Sequence, residues 1–235
     1  DLAEARQVLE EAVSRALEGD GRDPTLKRRL FEAVMAFADA LAARSELDDA
    51  GLDKFLAYAG DFSPDPAAQV SHRLRFAALF ESRAQPDRAL GLYQQILRDR
   101  TLRELDLRVT GRPGQRAGFV AQSRIAQLLA QHGPPLYAPY EAEARRWLES
   151  GSAAGDETAL IRVVETFPNS AAAPTALLAY GDLLTKSGRF EDAARSFARA
   201  YRQYPRSGDR PAVLKKIADA YERDGQAERA YWWLT

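Results

Sequence analysis

The chain has 235 residues, 46% hydrophobic and 29% charged, with a formal net charge of −1, and a chain of that length buries roughly 70–75% of its unfolded surface, enough for a full core. The balanced charge argues against a general nucleic-acid or anionic-membrane binder, which needs a broad basic surface. There is no cysteine, which excludes disulfides, thiolate metal sites and cysteine nucleophiles, and no apolar run approaches the roughly 18 residues of a membrane span.

In chain order, Leu2, Ala5, Leu9, Ala12, Val13, Ala16 and Leu17 fall on one helical face, and Gly19-Asp20-Gly21 is expected to end that helix. A second helix starts at Asp23-Pro24, with proline at its first position, and runs to about Ala43. A third spans about Glu46 to Ala59, and Phe62-Ser63-Pro64-Asp65-Pro66 forms a turn. From about 70 to 100, Phe76, Ala77, Phe80, Ala89, Tyr93 and Ile96 read as a helical hairpin with Ala84 at its tip. The helical pattern then lapses: Leu105 to Val109 alternates with period two, and Gly111-Arg112-Pro113-Gly114 is a turn or loop. Helices resume at about 116–132, 137–150, 154–167, 171–187, 190–204, 210–224 and from 226 onward, giving about twelve helices and almost no strand. The expected organisation is therefore helical hairpins over 1–100, an irregular Arg/Gly-rich insertion over 101–118, and repeats over 119–235. A start at Asp1 without Met, and a last helix pattern still running at Trp232-Trp233-Leu234-Thr235, read as an excerpt of a longer protein.

Gly151, Gly188 and Gly225 recur at a spacing of 37 residues, as do Pro168-Asn169-Ser170 and Pro205-Arg206-Ser207, and Pro174 and Pro211. Around the second glycine stand Leu177, Tyr180, Gly181, Leu184, Phe190, Ala193, Phe197, Ala200, Tyr201 and Pro205. This order of small and large residues suits two antiparallel helices that touch at Gly181 and Ala193, turn at Gly188 and stop at Pro205. At these residues the chain resembles the tetratricopeptide-repeat family, over 137–235 and, less fully, over 70–100. It is similar to bacterial envelope proteins of that family, including outer-membrane assembly lipoproteins and the periplasmic coordinator of the Tol-Pal system. Tyr140 to Leu160, with Ala144, Trp147, Leu148 and Gly155-Asp156, is also similar to helical regions that precede a quinone-type β-propeller. The resemblance implies an all-α solenoid that binds a protein or peptide on its concave face, and no inherited catalytic residue; it favours a periplasmic or envelope location, with the cytoplasm as the alternative. Two departures, Asp156 where a small alanine is usual and Glu143 at a normally apolar position, imply loose packing of the hairpin at 137–168.

In such repeats the first helix of each hairpin turns a defined set of positions toward the partner. Here they are Glu141, Arg145 and Glu149; Thr175, Asp182, Thr185 and Lys186; and Lys215, Asp219, Glu222 and Arg223. Both charge signs occur, and the competing reading is a solvated face with i,i+4 pairs such as Lys215–Asp219. The segment from Arg98 to Arg124 holds seven arginines against Asp99, Glu104 and Asp106, a local balance of +4. With its glycines, Arg103, Arg108, Arg112 and Arg116 form a candidate anion site, without the Gly-Lys-Ser/Thr of a Walker loop. His72 and His132 are the only histidines. Neither has a ligand-spaced neighbour, so no metal or cofactor is expected, and His72 is expected at the surface. Trp147 is expected to wedge in the core. Tyr231, Trp232 and Trp233 cannot share one helical face, so some of them are expected to meet a following repeat, another domain or a second copy. The expected function is a non-enzymatic interaction module. The alternatives are an accessory or oligomerisation domain fused to a catalytic or propeller domain, and a catalytic α-solenoid built around one glutamate.

Overall fold

A computed structural model describes residues 2–18, 23–44, 46–107 and 114–235; the turn expected at Gly19 to Gly21, most of that at 111–114, and Arg108 and Arg112 lie outside them. The chain forms two compact units, Asp1–Leu128 and Leu129–Thr235. The fold is all-α, built from antiparallel helical hairpins in the manner of an α-solenoid, with thirteen α-helices among the described residues against the twelve expected.

The first unit comprises α1 (Leu2–Glu18), α2 (Pro24–Ala43), α3 (Asp49–Asp61), α4 (Pro66–Ser82), α5 (Pro86–Arg98), the single-turn α6 (Arg100–Arg103) and most of α7 (Ala117–His132). Its helices start where the sequence supplies caps. Asp23, Asp48 and Asp65 each accept a hydrogen bond at 2.8 Å from a first-turn N–H, of Thr25, Gly51 and Ala68, and Pro24, Pro66 and Pro86 occupy first positions where no N–H is missed. The period-two stretch becomes β1 (Asp106–Leu107), paired antiparallel with β2 (Gln115–Arg116). Gly118 closes the base of this ribbon, because a Cβ there would lie 2.5 Å from Arg103 Cγ and 3.0 Å from the Arg103 carbonyl oxygen. Leu30, Val34, Leu52, Phe55, Val70, Phe76, Phe80, Tyr93 and Ile96 fill the core.

The second unit contains a 3₁₀ turn (Pro134–Tyr137), α8 (Ala138–Ala154), α9 (Glu157–Thr166), α10 (Ala172–Lys186), α11 (Phe190–Gln203), α12 (Arg210–Arg223) and α13 (Ala227–Leu234). Each α-helix packs on its neighbour in sequence, and α8 also meets α10. Four hairpins share one tip geometry, a left-handed residue followed by an N–H bonded to the carbonyl five residues back. The left-handed residues are Ala84, Gly155, Gly188 and Gly225, with φ of 55°, 61°, 74° and 77°. The closing bonds are Gln85 to Phe80, Asp156 to Gly151, Arg189 to Leu184 and Gln226 to Tyr221, at 2.8–2.9 Å.

That geometry corrects the repeat register in one place. Gly151, expected as a turn, lies inside α8, and Gly155 turns the hairpin. The tip has slid by one helical turn, since α9 has 10 residues where α11 has 14, and α8 continues past the glycine to compensate. Gly151 thereby becomes the close-contact residue of its hairpin, where a Cβ would stand 3.0 Å from Ala159 Cβ. Asp156 is no misplaced core residue either: it caps α9, accepting from the Thr158 and Ala159 N–H groups at 2.9 and 3.1 Å. The loose packing expected of this hairpin gives way to a tight one. Ala144, Leu160, Val163 and Phe167 are fully buried, and the half-buried Trp147 packs edge-on against Phe167 at 5.1 Å.

Candidate interaction faces

Stacked hairpins leave the first helix of each pair with a side that its own partner helix does not cover. In the first unit, α2 and α4 flank an open groove of 860 Å³ whose walls include Ala42, Ala43, Leu74, Ala78 and, from β1, Leu107. Asp39 on α2 and Arg75 on α4 bridge it with two guanidinium–carboxylate hydrogen bonds. Small side chains keep the floor low and the ion pair fixes the spacing of the two helices. Sequence reasoning missed this groove, although Asp39 and Arg75, 36 residues apart, sit near the repeat period. A second groove of 640 Å³ runs between α1 and α2, lined by Val8, Leu9, Ala12, Leu30, Ala33 and Phe37 with Glu4 and Arg29.

In the second unit the expected partner-facing residues divide into two sets. Glu141 on α8 accepts a hydrogen bond at 3.0 Å from the Ala171 N–H at the start of α10. Asp182 on α10 pairs with Lys216 on α12, and the Thr185 hydroxyl donates to the Gly181 carbonyl at 2.9 Å. These three tie successive hairpins, or a helix, to itself. Arg145, Glu149, Lys186, Lys215, Asp219, Glu222 and Arg223 are exposed, as is Thr175. The lysine that enters an ion pair is thus Lys216 with Asp182, across two hairpins. The pair expected between Lys215 and Asp219 is absent among the described residues.

The arginine-rich insertion is brought together only in part. Arg103 donates at 2.8 Å to the Leu97 carbonyl, and Arg116 binds the Glu104 carboxylate at 2.6 Å, so both described members of the candidate anion set have partners within the chain.

His72 overturns the surface expectation, being 3% exposed. Its Nδ1 lies 2.9 Å from Ser63 Oγ and 3.2 Å from the Ala68 carbonyl oxygen. The Ser63 hydroxyl donates to the Ala59 carbonyl at 2.7 Å, so Nδ1 carries a proton and donates to both oxygens. Burial pushes its pKa down to about 4, with Arg73 adding to the effect. The signal available in the sequence was position: His72 is two residues after Val70 and four before Phe76, both core, and it meets Phe31 edge-on at 6.4 Å. Its serine partner is used up by the backbone, so the pair lacks the arrangement of a nucleophile and base. Among the described residues no group of three His, Asp or Glu side chains could hold a metal ion, and no helix is long and apolar enough to cross a membrane.

At the last helix the three aromatics separate as their spacing requires. Trp233 turns inward against Tyr201, ring centroids 5.8 Å apart, with the Arg202 guanidinium 5.0 Å from its ring. Tyr231, Trp232 and Leu234 are 69%, 66% and 64% exposed, and face out.

No protein-family model matches the chain, and no curated protein matches it. Among solved structures it is similar to BtubC (BKLC) from P. vanneervenii, at 17% identity over 99% of this chain and 86% of that one, with a TM-score of 0.36. It is also similar to MamA from AMB-1, at 18% identity over 83% of this chain and 82% of that one, with a TM-score of 0.30.

Proposed function

We infer that the chain is a non-enzymatic interaction module that holds a segment of a partner protein. The observation that carries this reading is the groove between α2 and α4, open, floored by small and aliphatic side chains, and edged by the Asp39–Arg75 pair. An extended or helical segment with apolar residues at regular intervals fits it, burying those residues at about 25 cal/mol per Å². Charged residues on the exposed side of the second unit, Arg145, Glu149, Lys186, Lys215, Asp219, Glu222 and Arg223, supply orientation more than affinity. Photo-crosslinking tests this with a benzophenone side chain placed at Ala78, at Lys215, and at the exposed Gln95 of α5 as control. Discrete adducts are expected from Ala78 and Lys215 and none from Gln95, and Leu74→Arg, on the wall of the same groove, should abolish the first without changing helix content. Equal adducts from all three positions, or none from Ala78, would sink the reading.

A second reading, an assembly role through the end of the chain, is favoured by the outward Tyr231, Trp232 and Leu234. A resident of the cell envelope is the setting that the family resemblance suggests for either role.

A further inference from the structure

In the second unit a cavity of 180 Å³ opens beside the loop that joins α11 to α12. Its walls divide by chemistry. Pro174 and Leu178 of α10, Ala200 of α11 and Val213 of α12 form an apolar side, while Arg210 and the loop residues Ser207 and Gly208 form a polar one. The Arg210 guanidinium stacks on the Tyr201 ring, 3.7 Å from its centroid, and Nη1 donates at 3.3 Å to the Tyr201 and Pro205 carbonyls. These contacts hold the guanidinium plane in one orientation and occupy one of its three nitrogens. The nearest acid in sequence, Asp209, is committed to capping α12 through the Ala212 N–H at 3.3 Å, and no carboxylate pairs with Arg210 among the described residues. On the same side the Gly208 N–H, exposed at a backbone φ of 70°, makes no backbone hydrogen bond. The result is a preoriented guanidinium without an anion at the mouth of an apolar hole.

We propose that this cavity binds a branched aliphatic carboxylate, the alkyl group lying against Leu178, Ala200 and Val213 and the carboxylate on the open edge of Arg210. The size fits. At about 30 Å³ per water the cavity has room for roughly six waters, the scale of a branched four- or five-carbon chain whose carboxylate reaches the mouth. A planar guanidinium that cannot lose its proton suits a carboxylate better than any neutral group, and the stack on Tyr201 means little side-chain freedom is lost on binding. Two sources share this chemistry, a free short-chain acid and the carboxyl-terminal leucine or valine of a peptide. The site lies at a loop corner, and of the residues expected to face a partner only Thr175 lines it, so its occupancy is read separately from the function proposed above.

The test is amide NMR of the whole chain titrated with 3-methylbutanoate, with its amide, and with acetyl-Gly-Gly-Leu carrying a free carboxylate. Saturable shifts centred on Thr175, Leu178 and Val213 are expected with the two acids, and binding of the amide should be roughly tenfold weaker, the scale of one charge-assisted hydrogen bond. Arg210→Gln should remove the preference for acid over amide. Because that change also loosens the loop, Ala171→Leu, which narrows the cavity from the loop ahead of α10, should block all three probes at an unchanged melting temperature. Tighter binding of the tripeptide than of the free acid assigns the chain-end source, and the reverse assigns the small acid. Equal affinity for acid and amide, or no saturable shift with any probe, overturns the proposal.

Discussion

Two residues carry conformational or ionic strain that their neighbours make necessary. Ala84 holds a φ of 55°, a left-handed conformation that costs an L-residue on the order of 1–2 kcal/mol, where the equivalent tips use glycine. Ala84→Gly should therefore stabilise the protein by about 0.5–1 kcal/mol after the greater entropy of unfolded glycine is subtracted; a lower thermal midpoint would mean that the Ala84 methyl contributes packing that outweighs the strain. His72 is the ionic case. Its folded pKa of about 4 lies below the ordinary histidine value of 6.5, so the unfolded chain binds the proton more readily and stability falls as pH drops. The contribution is intact above pH 6.5 and is lost between 6.5 and 4, reaching on the order of 3 kcal/mol below that window. Denaturant unfolding of His72→Gln and of the parent chain at pH 7 and pH 4.5 checks the sign. The parent should lose more stability than the variant, and parallel losses would place the acid sensitivity elsewhere. One competing contributor acts lower: Lys54 and Arg6 hold the Glu10 carboxyl below its usual range, which adds acid sensitivity only as pH falls through that range.

At the scale of the element, two hairpins depend on a close approach at a glycine. A Cβ on Gly181 would meet the Phe197 ring at 2.4–2.7 Å, so the residue is glycine because an aromatic ring from the paired helix occupies the space of its side chain. Gly181→Ala should cost about 1–3 kcal/mol by overpacking, and Phe197→Leu added to it should recover part of that loss, since the smaller side chain vacates the clash. A pair of losses that simply add would show that the two residues do not share a contact. Ala193, fully buried in the same hairpin, should tolerate leucine no better, and by the same mechanism. Gly151 is milder: its virtual Cβ stands 3.0 Å from the Ala159 methyl, so Gly151→Ala asks a neighbour to give by a few tenths of an ångström. Between hairpins, polar links add to an apolar core that runs from one to the next. The Tyr204 hydroxyl donates at 3.0 Å to the Pro168 carbonyl, joining two Pro-x-Ser loops, and its burial pushes the phenol pKa up to about 12. Tyr204→Phe should cost about 1 kcal/mol, the net worth of one hydrogen bond with a backbone acceptor left unpaired.

For the whole molecule, the exposed Tyr231, Trp232 and Leu234 predict concentration-dependent association. Trp232 packs edge-on against Trp233 at 5.2 Å, but only Trp233 is anchored on Tyr201, so Tyr231→Glu with Trp232→Glu should shift sedimentation toward monomer without loss of helix. Replacing Trp233 should instead lower stability, by an amount on the order of 3 kcal/mol for a large aromatic removed from its packing. A parent chain that is monomeric at all concentrations would leave these aromatics to a different partner. The sequence by itself determined the class of fold and most helix limits, because capping aspartates, first-position prolines and turn glycines act through bonds within a few residues. It also determined which aromatics of the last helix must point apart, since that follows from the helical period alone. Only the tertiary structure decided the rest. The slipped tip at Gly155 turns on whether α8 or α9 takes one turn of helix, and the identity of the residue facing Gly151 settles that. The burial of His72 depends on Ser63 and Phe31 arriving from other elements, and the grooves and the Arg210 cavity exist only between helices. A local pattern specifies where a helix runs; the choice among faces, partners and voids belongs to contacts between residues that the chain brings together from about one repeat away.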